Sequence, residues 1–179
     1  DSAATLTAYT LTTGSGSDEG LSEAWTTTVD LSQGTLAQDN PQFLRWGDHH
    51  LIHGSTVIDL TTGGTSVGPW QAGGQPMVAQ DVVIVCSIDD NCAAWREGSD
   101  EQLWNISIEN ASALISRDNN SQTVYRRAGA RYVILAFHSA VNLDTGEQIS
   151  FNLPPLSSYS LLSATDGWLV HSTGSSGSI

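Results

Sequence analysis

Apolar and polar residues alternate over short stretches along the chain, and nowhere do apolar positions recur at helical spacing for three turns. Thr, Ser, Val, Ile and Gly fill runs of about 4–8 residues, with Gly, Asn and Asp between them. The pattern predicts an all-β protein. Two runs depart from the alternation: "VVIVC" at Val82 to Cys86 and "YVILAF" at Tyr132 to Phe137 are apolar almost throughout. Such a strand is expected where both of its faces are covered. A two-sheet sandwich would leave cleaner alternation, with one face to the core and one to solvent.

The runs also repeat. Turn glycines stand at Gly14, Gly63, Gly98 and Gly146, at intervals of 49, 35 and 48 residues. A bulky apolar residue stands three positions before each, at Leu11, Leu60, Trp95 and Leu143, and an aromatic follows at Trp25, Trp70, Trp104 and Phe151. The pieces between the turns align too. "PQFLRWG", "QPMVAQD", "QTVYRRAG" and "YSLLSATDG" form one class, and "HHLIHGS", "VVIVCSI", "YVILAFHS" and "WLVHSTG" the next. Each unit thus supplies four strands, the content of a β-propeller blade. Residues 1–179 read as one propeller domain or propeller fragment, with material for about four blades. The chain enters with the last two strands of a unit, Thr5 to Asp30, and leaves with the first two of another, Ser158 to Thr173. Two arrangements satisfy those halves: a small closed ring with a shared blade, or half of a larger propeller completed by a homodimer or a complementary fragment.

The copy at Ala140 to Phe151, with Leu143, Asp144, Thr145, Gly146 and Glu147, resembles the quinoprotein-type (PQQ-like) β-propeller repeat. The copy at Val57 to Trp70 is the next best match. The first and third are degenerate, and the first carries an insertion between Gly14 and Trp25. The resemblance covers essentially the whole chain and implies architecture more than activity, because one propeller scaffold hosts many functions. Members of this family usually have about 7–8 blades, more than this chain supplies. Their enzymes hold a quinone over a tryptophan floor with calcium and adjacent half-cystines. No adjacent Cys pair occurs here and no Asp, Asn or Glu set matches the calcium site, so the resemblance implies a non-enzymatic member without a cofactor.

Charge narrows the partners. Asp and Glu number 19 against six basic residues, all Arg, for a net charge of −13. Such a chain repels nucleic acid and anionic membrane surfaces. No apolar run is long enough to span a bilayer. No basic region followed by an apolar run is visible within the chain, and its opening "DSAATLTAYTL" reads like a mature or excised segment. Cys86 and Cys92 flank "SIDDN", so a hairpin would bring them face to face. A disulfide there points to an oxidising, extracytoplasmic compartment, and two separately buried thiols are the alternative.

Other candidates are weaker. In "DHHLIH", His49 and His53 fall on one strand face but ~13 Å apart, too far to share a metal. His53, Val85, Phe137 or His138, and His171 look like one repeated structural position. Asp89, Asp90 and Asn91 lack the spacing of a calcium loop and read as a hairpin turn. Arg117, Arg126, Arg127 and Arg131 gather four of the six arginines, either as a docking patch for an acidic partner or as neutralising partners of nearby carboxylates. Asn105, Asn110 and Asn119 begin Asn-x-Ser sequons, which matter only in a secretory eukaryote. The expected function is therefore a non-catalytic binding or scaffold module, the exposed domain of an anchored or secreted bacterial protein, meeting a protein or small-molecule ligand. The alternatives are a quinoprotein-like or other propeller enzyme with its site at the central channel, and a structural part of a multi-chain ring.

Overall fold

The computed structural model describes residues 3–12, 20–33, 43–70, 75–87, 89–108, 126–127, 131–136, 139–150, 160–165 and 168–172. For residues 12, 33, 75, 126–127, 134–136, 160–165 and 168–172 it describes the backbone alone. The described chain is all-β apart from one short 3-10 turn, Leu31–Gln33. Strands β1 (Ala3–Thr12) and β2 (Gly20–Asp30) form an antiparallel hairpin. Three four-stranded antiparallel meanders follow. The first is β3 (Leu44–Trp46), β4 (His50–His53), β5 (Thr56–Asp59) and β6 (Thr65–Val67). The second is β7 (Gln75–Ala79), β8 (Val82–Cys86), β9 (Asn91–Arg96) and β10 (Gln102–Ser107). The third is β11 (Arg126–Arg127), β12 (Tyr132–Ala136), β13 (Ser139–Asn142) and β14 (Gln148–Ser150). A second hairpin, β15 (Ser160–Thr165) and β16 (Trp168–Ser172), ends the described chain. The four-strand unit expected from the repeat is thus formed three times, with a two-stranded sheet at either end.

The continuous apolar run of β8 has the expected cause. All five of its residues are buried. Val82, Ile84 and Cys86 face one core with Trp104, Val133, Val141 and Leu143. Val83 and Val85 face the other, with Trp46, Ile52, Val57, Trp70 and Trp95. Successive strand side chains point to opposite faces, so a strand covered on both sides must be apolar throughout. Each fully buried Val or Ile adds about 1.5–3 kcal/mol of burial free energy.

Cys86 and Cys92 lie directly opposite across the β8–β9 hairpin and form a disulfide, with their Cα atoms 4.0 Å apart. Ser87 N donates to the Asn91 carbonyl at 2.8 Å, and Asp90 takes a φ of +61° to reverse the chain. The Asp89–Asn91 stretch is therefore a hairpin turn, as read from the sequence.

The pairing register refines the repeat. His50 pairs with Asp59, Val82 with Arg96 and Tyr132 with Asn142. In each sheet the next residue donates its amide to the residue before the second strand: Leu60 to His49 at 2.7 Å, Glu97 to Asp81 at 2.7 Å and Leu143 to Arg131 at 2.8 Å. Glu97, not Trp95, is therefore the counterpart of Leu60 and Leu143, and Gly98 turns two residues earlier in register than Gly63 and Gly146. The cause is the cap. Asp59 Oδ1 accepts from the Thr61 and Thr62 amides at 2.7 and 2.9 Å, and Asn142 Oδ1 from Asp144 and Thr145 at 2.9 and 3.2 Å. The same position in the middle sheet is Arg96, which has no acceptor, and a tighter turn forms in which Ser99 N donates to the Arg96 carbonyl at 3.0 Å.

Candidate functional site

The turns between first and second strands and between third and fourth strands lie at the same end of each sheet. Neighbouring sheets are joined there, and this end gathers most of the described ion pairs. Two junctions share one device. Trp25 of β2 donates its Nε1 proton to the Leu60 carbonyl at 2.9 Å and lies against Gly63, where a Cβ would fall 2.7 Å from the ring. Trp104 of β10 donates to the Leu143 carbonyl at 2.9 Å and lies against Gly146, with a Cβ position 2.8 Å from the ring. Gly63 and Gly146 have φ of +72° and +73°, so the turn both requires glycine and needs its bare face for the indole. These glycines and aromatics are the ones the sequence singled out.

The junction between β3–β6 and β7–β10 is built differently. Trp70 turns back over its own sheet, lying against Gly68 and donating to the Gly54 carbonyl at 3.3 Å, while its ring meets Trp95 at 6.1 Å. Gly98 has open space where an indole would dock. Trp46 of β3 serves instead, donating to the Asp81 carbonyl at 2.9 Å. Glu97 completes the joint. Its carboxylate accepts from Asp48 N at 3.0 Å and His49 N at 2.7 Å, and meets His50 Nδ1 at 2.9 Å. Gly47, φ +59°, leaves the room, since a Cβ there would sit 1.8 Å from Glu97 Oε2. Burial works to raise the Glu97 pKa, but the His49 amide, the His50 ring and the Asp48 amide outweigh it and hold the carboxyl below its usual range. Nothing adjacent to Glu97 in the chain marks this role.

A charged cluster marks the junction between β7–β10 and β11–β14. Arg131 binds Asp144 through both arms of its guanidinium, one of them at 2.6 Å, and reaches Asp81 at 3.1 Å. Arg96 reaches Asp144 as well, and Asp81 at 3.5 Å. Hydrogen bonding from Arg131 holds the Asp144 pKa below the ordinary carboxylate range. The four side chains are 33–44 % exposed, so each pair contributes at most about 1 kcal/mol. Two Arg face two Asp, a balanced set whose donors and acceptors satisfy one another.

Of the expected arginine patch, Arg131 is thus committed to Asp144 and Asp81, Arg126 and Arg127 share the short strand β11, and Arg117 lies outside the described residues. Arg96, which the patch omitted, is the one that joins Arg131. The histidines diverge: His49 is exposed in a turn, His50 meets Glu97, and buried His53 packs its ring 5.1 Å from Phe43. By register His53, Val85 and His171 do share one position, and Leu135 fills it in the β11–β14 sheet. Phe137, His138, Asn110, Asn119 and Phe151 lie outside the described residues. Among the described residues no group of three or more His, Cys, Asp or Glu is placed to hold a metal, and no helix is long and apolar enough to cross a membrane. A comparison with models of protein families found no match, and neither did a search of curated proteins.

Proposed function

We propose that the chain is a non-catalytic β-propeller scaffold of the PQQ-like repeat type, working outside the cytoplasm and presenting its turns to a protein or small-molecule ligand. The observation that carries this reading is the repeated junction. An indole from a fourth strand docks on the turn glycine of the following sheet, at Trp25–Gly63 and again at Trp104–Gly146. Face-to-face stacking of successive four-stranded meanders is the arrangement a propeller needs. First strands also lie beside one another, β3 along β7 and β11 along β15, as inner strands around a common axis do. The charged groups at the junctions are spent on one another, which favours a structural use of them. The Cys86–Cys92 disulfide supports an oxidising compartment.

Three measurements test this. Solution scattering is expected to give an annular pair-distance distribution, and a rod of stacked sheets would contradict it. Rapid alkylation of the protein in its source cells is expected to leave Cys86 and Cys92 unlabelled, whereas free thiols would place it in a reducing compartment. Pyrroloquinoline quinone with calcium is expected to give neither a thermal shift nor dye-linked alcohol oxidation, and both together would establish the enzymatic alternative.

A further inference from the structure

Strand edges invite pairing, and most described edges carry something that discourages it. Strands β3, β6 and β14 are three residues long. β7 contains Pro76, β10 is broken by a bulge between Gln102 and Trp104, and β11 sets Arg126 beside Arg127. β1 has none of these devices. Its ten residues, "AATLTAYTLT", hold no charge and no proline, and among the described strands only β2 pairs with them. β16, "WLVHS", pairs among the described strands only with β15.

The two bare edges fit one another by register. Ala8 pairs with Trp25 beside a bulge just as Ala94 pairs with Trp104 beside one, which makes β1 a third strand equivalent to β9. Thr165 pairs with Trp168 as Ala79 pairs with Val82, which makes β16 a second strand equivalent to β8. Carried over from β8–β9, the register sets Trp168 opposite Thr10, Val170 opposite Ala8 and Ser172 opposite Leu6. The face of the first hairpin turned away from Trp25 is also uncovered. Tyr9, Leu11 and Leu21 lie on it with Glu23 and are 58, 69 and 68 % exposed. In a single chain the two hairpins stand as separate two-stranded sheets.

We infer that a second copy of this chain covers these edges, with β16 of each copy pairing antiparallel with β1 of the other. The exchange builds two composite four-stranded sheets in a closed two-fold dimer. It is head-to-tail at each contact, but it ends at two copies because the β1 and β16 edges of both copies are then paired. The inference rests on the four-strand repeat proposed above, and it adds the partner and the register.

The natural disulfide supplies the test, because Leu6 and Ser172 occupy the positions of Cys92 and Cys86. Single variants L6C and S172C, mixed and mildly oxidised, are expected to give a covalent heterodimer. T7C with S172C is expected to react roughly tenfold more slowly, since one residue off register the two Cβ atoms point to opposite faces of the sheet. The wild-type chain should sediment at twice its 19.0 kDa. If the L6C/S172C double variant bridges only within itself and wild type stays at 19.0 kDa at all concentrations, the second copy is overturned while the propeller stands. If neither bridge forms and the mass is 19.0 kDa, the split sheet is overturned as well.

Discussion

The sheet β7–β10 and the hairpin β1–β2 are built from the same strand types, yet among the sheets whose side chains are described one is the most buried and the other the least. Both faces of β8 are covered, and all five of its side chains are buried. β2 has eleven residues, more than twice as many, and buries Val29 alone. The difference lies in neighbours. A sheet with another on each side must be apolar in both directions, while a hairpin at the end of the row needs only Ala4, Leu6, Ala8, Trp25, Thr27 and Val29 turned inward. Its Thr-rich reverse face suits water, apart from Tyr9, Leu11 and Leu21.

The comparison breaks most readily at the indoles. Trp104→Ala in the buried junction is expected to cost about 3–5 kcal/mol, and Trp25→Ala in the half-exposed one about 1–2 kcal/mol, read by urea unfolding. Equal losses would show that the end hairpin is as well packed as the middle. The turn glycines give the next largest effect. Gly63→Ala and Gly146→Ala combine a positive φ with an indole in the way, for about 2–4 kcal/mol. Gly98→Ala meets only the φ penalty, about 1–2 kcal/mol, because nothing lies within 4 Å of its Cβ position. Replacing Cys86 and Cys92 together by Ala should cost about 2 kcal/mol, the value for a short closed loop, in thermal unfolding with and without reductant.

The smallest effect belongs to Glu97, about 1–2 kcal/mol for a charge-assisted hydrogen-bond set. Its folded pKa is depressed below the ordinary value of 4.5. The carboxylate therefore stabilises fully above the unfolded value and loses that contribution as pH falls through the folded one. Glu97→Gln should lower stability at pH 7 and flatten the acid limb below the ordinary carboxylate pKa. An unchanged acid limb would show that the seat on Asp48 and His49 does not depend on charge.

Much of this was legible in the sequence for physical reasons. The unbroken "VVIVC" run signals a strand without a solvent face, and Cys86 and Cys92 sit symmetrically about a turn that only a hairpin would use. The Leu60–Gly63 and Leu143–Gly146 turns are local motifs closed by their own Asp59 and Asn142 caps, so short-range pattern finds them. The middle sheet misled because its glycine was matched without its cap, and with Arg96 in place of Asp or Asn the turn closes two positions early. Glu97 was invisible for a different reason. Its partners are 47 to 49 residues away, and nothing near it in sequence distinguishes it from a solvated acid. Likewise Arg131 was noticed for its basic neighbours, whereas its partners Asp81 and Asp144 come from different strand ends that only the stacking brings together.

Amide hydrogen exchange resolved along β8 and β1 tests the central claim, that burial here is set by the sheets on either side and that β1 is the third strand of an unfinished sheet. β8 amides are expected to exchange only through global unfolding at every concentration. Alternate amides of β1, those facing away from β2, should exchange rapidly in dilute solution and become protected as concentration rises. Uniformly rapid exchange in β1 at all concentrations, or β8 exchanging as fast as β1, would contradict it.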